Sequence, residues 1–267
     1  MATAVEIREH YDSLAFIYRA FWGDHIHHGF FDNGDEAPEV AQVALLEYCT
    51  ELLGLNGSEH VLDVGCGHGG TLLQLAQLFD CSGVGITVSP KQAYIADDNA
   101  RKAGLQHRIS VQVDNADHFE FPASTFDLVW AMESTEHFAD KDRFFSNAAA
   151  ALVTEGQLLV AAWTGSMENL RVREVARAFL CPEMWTAQRY SQSIKRAGLE
   201  VTHCEDLTSK IARTWEICEY RARIARLAIP LLPKAAREFV EGIPIILDAY
   251  RSGDLTYTVL TARKPGT

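Results

Sequence analysis

The chain has 267 residues, 48% hydrophobic and 22% charged, which suits a globular α/β protein with a full core. Its 24 Lys and Arg against 36 Asp and Glu give a formal net charge of −12, a field that repels phosphate backbones and anionic membrane surfaces, so nucleic acid is not an expected partner. The six cysteines have no close pair spacing, which reads as reduced thiols; with no leader pattern and no apolar run near ~20 residues, a cytoplasmic protein without stable membrane association is expected.

Residues 4–22 place Ile7, Tyr11, Leu14, Ala15, Tyr18 and Trp22 at helical spacing and predict an amphipathic helix or two short ones, in which Tyr18 and Trp22 either line a pocket or pack in the core. A loop rich in Gly, His and Asp follows over 23–37, then a second helix marked by Leu45, Cys49, Leu52 and Leu53 and ended by "GLNG". From residue 60 short apolar runs predict strands over 60–66, 82–89, 109–115, 126–133, 156–163, 198–207 and 255–264. Helical segments are expected between the first six strands, and a mostly helical insertion over 208–253 precedes the last. This alternation predicts an α/β fold with a doubly wound, mostly parallel seven-stranded sheet. No repeat or low-complexity linker divides it, so a single domain over 1–267 is expected, with ligands at the carboxyl ends of the strands.

"DVGCGHGG", straight after the first strand, satisfies GxGxxG with Gly65, Gly67 and Gly70. A nicotinamide site also wants an acid at the end of the second strand, but "GITVSPKQ" supplies Thr87 and Val88 there. The first strand instead carries Asp63 immediately before the glycines, where a carboxylate suits a cofactor with a cationic amino group. Asp63, Gly65, Gly67 and Gly69 also form D-x-G-x-G-x-G, the pattern of S-adenosylmethionine-dependent methyltransferases, in which glycine lets the backbone approach the ligand closely. Ser89, Pro90 and Gln92 have the spacing of a helix cap; alternatively Thr87 and Gln92 bind ribose hydroxyls, and both readings can hold together.

After the fourth strand, "MESTEH" brings Glu133, Glu136 and His137 to the ligand edge. Either they form a reacting site, or Glu136 and His137 cap the helix beginning near "ADKDRFF" with Glu133 solvated. The glycine motif, "GITVSPKQ" and "MESTEH" together resemble the small-molecule class I methyltransferases around the γ-tocopherol methyltransferases. Sarcosine/dimethylglycine methyltransferases, plant alkaloid N-methyltransferases and, more distantly, cyclopropane fatty acid synthases share the pattern. "WGDHIHHGFFD" and the tail "LDAYRSGDLTYTVLTARKP" extend the likeness along nearly the whole chain.

The resemblance implies S-adenosylmethionine as cofactor, with Asp63, Gly65, Cys66 and Gly67 at its methionine end, Thr87 and Gln92 at the ribose, and Asn115 and Ala116 at the adenine. The family's Asp-Ala pair reads Asn115-Ala116 here, with Asp117 adjacent. It further implies a lid over 1–35 with His28 touching the cofactor, a cofactor-binding core over 60–207 and a substrate cap over 208–253. The Glu-x-x-Glu-His arrangement of the alkaloid enzymes, assigned to acceptor binding and deprotonation, maps to Glu133, Glu136 and His137, with Glu133 also beside the cofactor. Histidine titrates near neutrality and serves as base, and a neighbouring carboxylate is expected to orient it. His25, His27 and His28 invite a metal reading, but no acid or cysteine at ligand spacing completes a set and methyl transfer needs no metal.

Trp215, Tyr220, Leu227, Leu231, Leu232, Phe239 and Ile243 in the insertion are expected to enclose a small apolar or aromatic acceptor, although core packing uses the same residue types. The expected reaction is direct displacement of a methyl group onto oxygen, nitrogen or carbon. The element methylated, and whether the protein is a monomer or homodimer, are left open. A nicotinamide oxidoreductase and a non-catalytic S-adenosylmethionine-binding protein are the rival readings.

Overall fold

The apolar run after residue 59 forms β1 (His60–Val64), buried from Val61 onward, and the sheet grows outward from it on both sides. The structure, a computed structural model, describes residues 3–22, 25–117, 120–227 and 229–266, apart from the side chains of residues 4 and 15–22. The remaining strands are β2 (Ser82–Thr87), β3 (Ile109–Val113), β4 (Phe126–Met132), β5 (Leu152–Gly165), β6 (Glu200–Asp206) and β7 (Leu255–Arg263). They make one seven-stranded sheet in the order β3-β2-β1-β4-β5-β7-β6, parallel except for β7, which runs antiparallel to both β5 and β6. The order reverses between β1 and β4, so a crevice opens beyond their carboxyl ends, where open α/β sheets bind ligands.

The helices are α1 (Ala4–Trp22), α2 (Pro38–Leu53), α3 (Gly70–Leu78), α4 (Pro90–Lys102), α5 (Lys141–Ala151), α6 (Leu170–Ala178), α7 (Ala187–Arg196), α8 (Thr208–Ile211), α9 (Arg213–Ile224) and α10 (Lys234–Arg251). Gly54, at φ 61°, closes α2 in the left-handed cap that "GLNG" predicts. β4 shows how the two faces of the sheet are covered: Leu128, Trp130 and Met132 join one apolar cluster, while Val129 and Ala131 join the other. α1 lies outside these layers, packed on α4 and α10, with Leu14 against Ala236 and Leu232.

One expected helix is absent: among the described residues, 114–125 between β3 and β4 form no helix. That stretch contains Pro122 and turn-forming Ser124, which interrupt a helix before it can span the segment. β5 also starts earlier than expected, because Leu152 pairs with Phe126 across an irregularity in the ladder. All six cysteines are free, five of them buried, and no described helix is long and apolar enough to cross a membrane.

Candidate active site

The loops after β1 and β4 interlock at the switch point. Gly65 has φ 87°, and a Cβ there would lie 2.2 Å from the Cβ of Ser134, while Ser134 Oγ donates to the Val64 carbonyl at 2.6 Å. Only glycine permits this approach. Gly67 is also left-handed, at φ 53°, but a Cβ there would meet only Ile26, at an ordinary 3.7 Å. Asp63, at the end of β1, is buried with Oδ2 unpartnered, and burial pushes its pKa up to about 7. An isolated carboxyl in this setting has a strong preference for a cationic ligand.

A cavity of about 760 Å³ extends from this loop past Thr87, Gln92, Asn115 and Ala116. Thr87 Oγ1 donates to Gln92 Oε1 at 2.8 Å, and the Gln92 amide donates to Ser89 Oγ at 3.1 Å, with Pro90 in the first turn. The capping arrangement is therefore formed, and the Thr87–Gln92 pair it positions borders the cavity. Asn115 Oδ1 accepts from the Asp117 amide, and Asp117 Oδ1 accepts from the amides of Ala139 and Asp140, which ties the β3 and β4 loops together. Asp63 and Cys66 line a smaller pocket of about 340 Å³ that shares Ile26, Gly65, Gly67 and Met132 with the larger cavity.

A second cavity, about 590 Å³, lies under α9 and α10, walled by Trp163, Phe179, Trp215 and Phe239 and floored by Glu133, Glu136 and His137. Tyr11, Ile26, Glu133 and His137 border both this cavity and the glycine-lined one. Glu133, with φ 49° just past β4, accepts from the His28 amide (2.8 Å), His28 Nδ1 (2.8 Å) and the Tyr257 hydroxyl (2.9 Å). Burial raises its pKa, but attraction and hydrogen bonds from His28 outweigh this and hold it below the ordinary carboxylate value. Glu136 Oε1 accepts from the Trp163 amide at 2.6 Å, whereas Oε2 is buried without a partner, and burial pushes its pKa up to about 8. These neighbouring carboxyls are thus driven apart, one ionised and the other protonated at neutral pH.

His137 Nδ1 lies 3.4 Å from the Leu180 carbonyl and Nε2 lies 2.8 Å from the Tyr11 hydroxyl. A carbonyl only accepts, so Nδ1 carries the proton and Nε2 is the acceptor. Burial pulls its pKa down to about 4, leaving the ring neutral.

Several expectations change here. The ring of His137 is oriented by a carbonyl and a tyrosine instead of a carboxylate. His28 lines the aromatic cavity and not the glycine-lined one, with both ring nitrogens engaged, Nε2 by Trp215 Nε1 at 2.6 Å. The capping alternative for Glu136 and His137 fails, because Asp140 caps α5 by accepting from the Arg143 amide. Of the insertion residues expected to enclose the acceptor, Trp215 and Phe239 reach the cavity, joined there by Thr214. Ile243 is core, Leu232 packs on Leu14, and Tyr220, Leu227 and Leu231 point to solvent. The side chains of Tyr18 and Trp22 lie outside the described residues. Trp163, Phe179 and the bond from Tyr11 are additions, and of these only Tyr11 carries a signal in the sequence, its place on the apolar stripe of α1. Among the described residues no three His, Cys, Asp or Glu are grouped to hold a metal.

Comparison with known proteins is consistent along the chain. The model of the mycolic acid cyclopropane synthetase family matches residues 1–226. The chain is 29% identical to the chloroplastic tocopherol O-methyltransferase of Arabidopsis thaliana, over 97% of this chain and 82% of that one. It is 30% identical to the 27-O-demethylrifamycin SV methyltransferase of Amycolatopsis mediterranei (strain S699), over 98% of each. Among solved structures, the [4+2]-cyclase SpnF superposes with a TM-score of 0.86 at 26% identity, covering 99% of this chain and 98% of that one.

Proposed function

The chain belongs to the mycolic acid cyclopropane synthetase family and is an S-adenosylmethionine-dependent methyltransferase of small molecules, and we propose that it methylates an apolar or aromatic acceptor held under α9 and α10, with His137 as base. The observation that carries this reading is the seam where Tyr11, Ile26, Glu133 and His137 border both cavities, so that a donor in one faces an acceptor in the other.

The residues of the first cavity and of the smaller pocket beside it fit the cofactor. The unpartnered Asp63 carboxyl is matched to a cationic amino group, and Gly65 and Gly67, on either side of Cys66, offer backbone without obstructing side chains. Thr87 and Gln92 are assigned to ribose hydroxyls, and Asn115 with Ala116 to adenine. His28 is assigned to holding Glu133 rather than the cofactor. S-adenosylmethionine supplies an electrophilic methyl group whose thioether leaves neutral, so the protein needs no acid for the leaving group.

The chain's own task is to enclose the acceptor and take its proton. Residues 1–35 act as a lid and 208–253 as the cap. The protonated Glu136 offers a hydrogen bond to an acceptor lone pair through Oε2, while Glu133 stays ionised in its bonds to His28 and Tyr257. The acceptor proton passes to the Tyr11 hydroxyl as that hydroxyl gives its own to His137 Nε2. One relative above is named a tocopherol O-methyltransferase and the other a methyltransferase of a 27-O-demethyl compound, so hydroxyl acceptors, phenols first, are the class to assay. Replacing His137 with alanine is expected to lower turnover by roughly a hundredfold or more while S-adenosylhomocysteine binding, measured by calorimetry, stays within a few-fold. Unchanged turnover in H137A would remove it as the base.

A further inference from the structure

The outer face of the cap is unlike the rest of this acidic molecule. Between Tyr220 and Arg237 the chain carries five cations, Arg221, Arg223, Arg226, Lys234 and Arg237, and no acidic residue. The same stretch exposes Leu227 and Leu231 at 86% each, Ile224 at 65% and Tyr220 at 56%; no other large apolar side chain described is as exposed as the two leucines. The 3₁₀ segment Ile229–Leu231, which contains Pro230 and is followed by Pro233, presents Leu231 and is anchored from inside, with Leu232 packed against the Leu14 cluster of α1.

We propose that this turn docks the protein on an anionic lipid bilayer, with Leu227 and Leu231 entering the interface and the flanking arginines meeting the headgroups. Charge complementarity selects the partner. Exposed leucines bracketed by cations with long apolar stems match the layered chemistry of a bilayer surface, in which the stems lie along the acyl boundary and the guanidinium groups reach the phosphates. The net charge of −12 averages over this local reversal and predicts only that the rest of the molecule turns away from the membrane.

Position gives the docking a purpose. The patch lies on the end of α9 and the turn that leads to α10, and the same two helices carry Trp215 and Phe239 on the wall of the aromatic cavity, so docking sets the helices that cover that cavity against the lipid. If the cavity holds the acceptor, as proposed above, the acceptors are amphiphiles that partition into membranes.

The test is co-sedimentation of the full chain with vesicles of pure phosphatidylcholine and of phosphatidylcholine mixed with phosphatidylserine. Binding is expected to the mixed vesicles alone, to weaken with salt, and to fall by roughly tenfold or more in R223Q/R226Q and in L227D/L231D. S-adenosylhomocysteine binding should persist in both variants, since none of these residues lines the cofactor cavity. If the wild type binds the nucleoside but not the mixed vesicles, docking is wrong and the methyltransferase reading stands. If it binds vesicles but not the nucleoside, docking stands and the cofactor site assigned above fails. Vesicle binding that neither variant weakens, or wild-type dimerisation that L227D/L231D abolishes without any vesicle binding, overturns the proposal, the latter in favour of a second copy.

Discussion

At the residue scale, the site is defined by two buried carboxyls with unpartnered oxygens, and each predicts a distinct response. Asp63→Asn removes the group matched to a cationic amine, so S-adenosylhomocysteine binding should weaken by roughly ten- to hundredfold, the range of a charge-assisted hydrogen bond. The same variant should melt no lower than the wild type without ligand, because an isolated buried carboxyl contributes nothing favourable. Calorimetry and thermal melts on one preparation separate the two effects, and a variant that binds as tightly as wild type would break the assignment. Asp63, Thr87, Gln92, Glu133, Glu136 and His137 are legible from sequence because they sit at fixed offsets from strand ends, and strand ends can be read from apolar runs. The partners of His137 are not legible. Tyr11 and Leu180 reach it from far along the chain, and only the packing of α1 and of the α6–α7 connection brings them there.

At the element scale, the interlocked loops after β1 and β4 make a prediction from two glycines of one motif. Gly65→Ala places a methyl group 2.2 Å from Ser134 Cβ at an unfavourable φ, and should cost roughly 2–4 kcal/mol together with cofactor binding. Gly67→Ala has room beside Ile26 and meets only the backbone penalty, of about 1 kcal/mol. The melting temperature should therefore fall by about 5–15 °C in the first and by only a few degrees in the second. Equal losses would show that the loops do not interlock as described. Six of the strands lie where apolar or alternating runs were expected, with β1 and β4 the near-continuous apolar runs of buried parallel strands; the exception, β5, extends further because its early part is an irregular pairing with β4. The helix expected between β3 and β4 came from the regularity of the alternation, not from residues in that segment. In the insertion, helical spacing marked Leu227 and Leu231 as apolar, but periodicity cannot say which apolar residues of a short turn face inward.

At the scale of the whole molecule, buried groups link stability and cofactor binding to pH. Asp63 and Glu136 have folded pKa values of about 7 and about 8, above their ordinary values, so at low pH, where they are protonated in both states, they set no ionisation cost against folding, and stability is lost as pH rises through those values. His137 lies at about 4, below its ordinary value, so its contribution is full above about 6.5 and is lost as pH falls through the folded value. Between roughly pH 6.5 and 8 the two carboxyls act without that opposition, so the ligand-free protein should lose stability with rising pH across this window. Denaturant melts at stepped pH test this; the D63N/E136Q double variant should show a shallower slope, and an unchanged slope would assign the dependence elsewhere. Cofactor binding should also release protons near pH 6.5 as Asp63 ionises against its new partner, which calorimetry in buffers of different ionisation enthalpy detects.

The attachment of the cap has an evolutionary consequence. Residues 208–254 leave the sheet from β6 and return through β7, which are paired neighbours, so the whole excursion begins and ends at one hydrogen-bonded edge. A segment joined in this way can lengthen, shorten or change composition without altering the register of any other strand. The chain thus separates what must be inherited unchanged, the donor crevice between β1 and β4, from a replaceable cassette in which a lineage can try new acceptors. Grafting the cassette of a relative between Asp206 and Leu255 is the experiment this architecture invites.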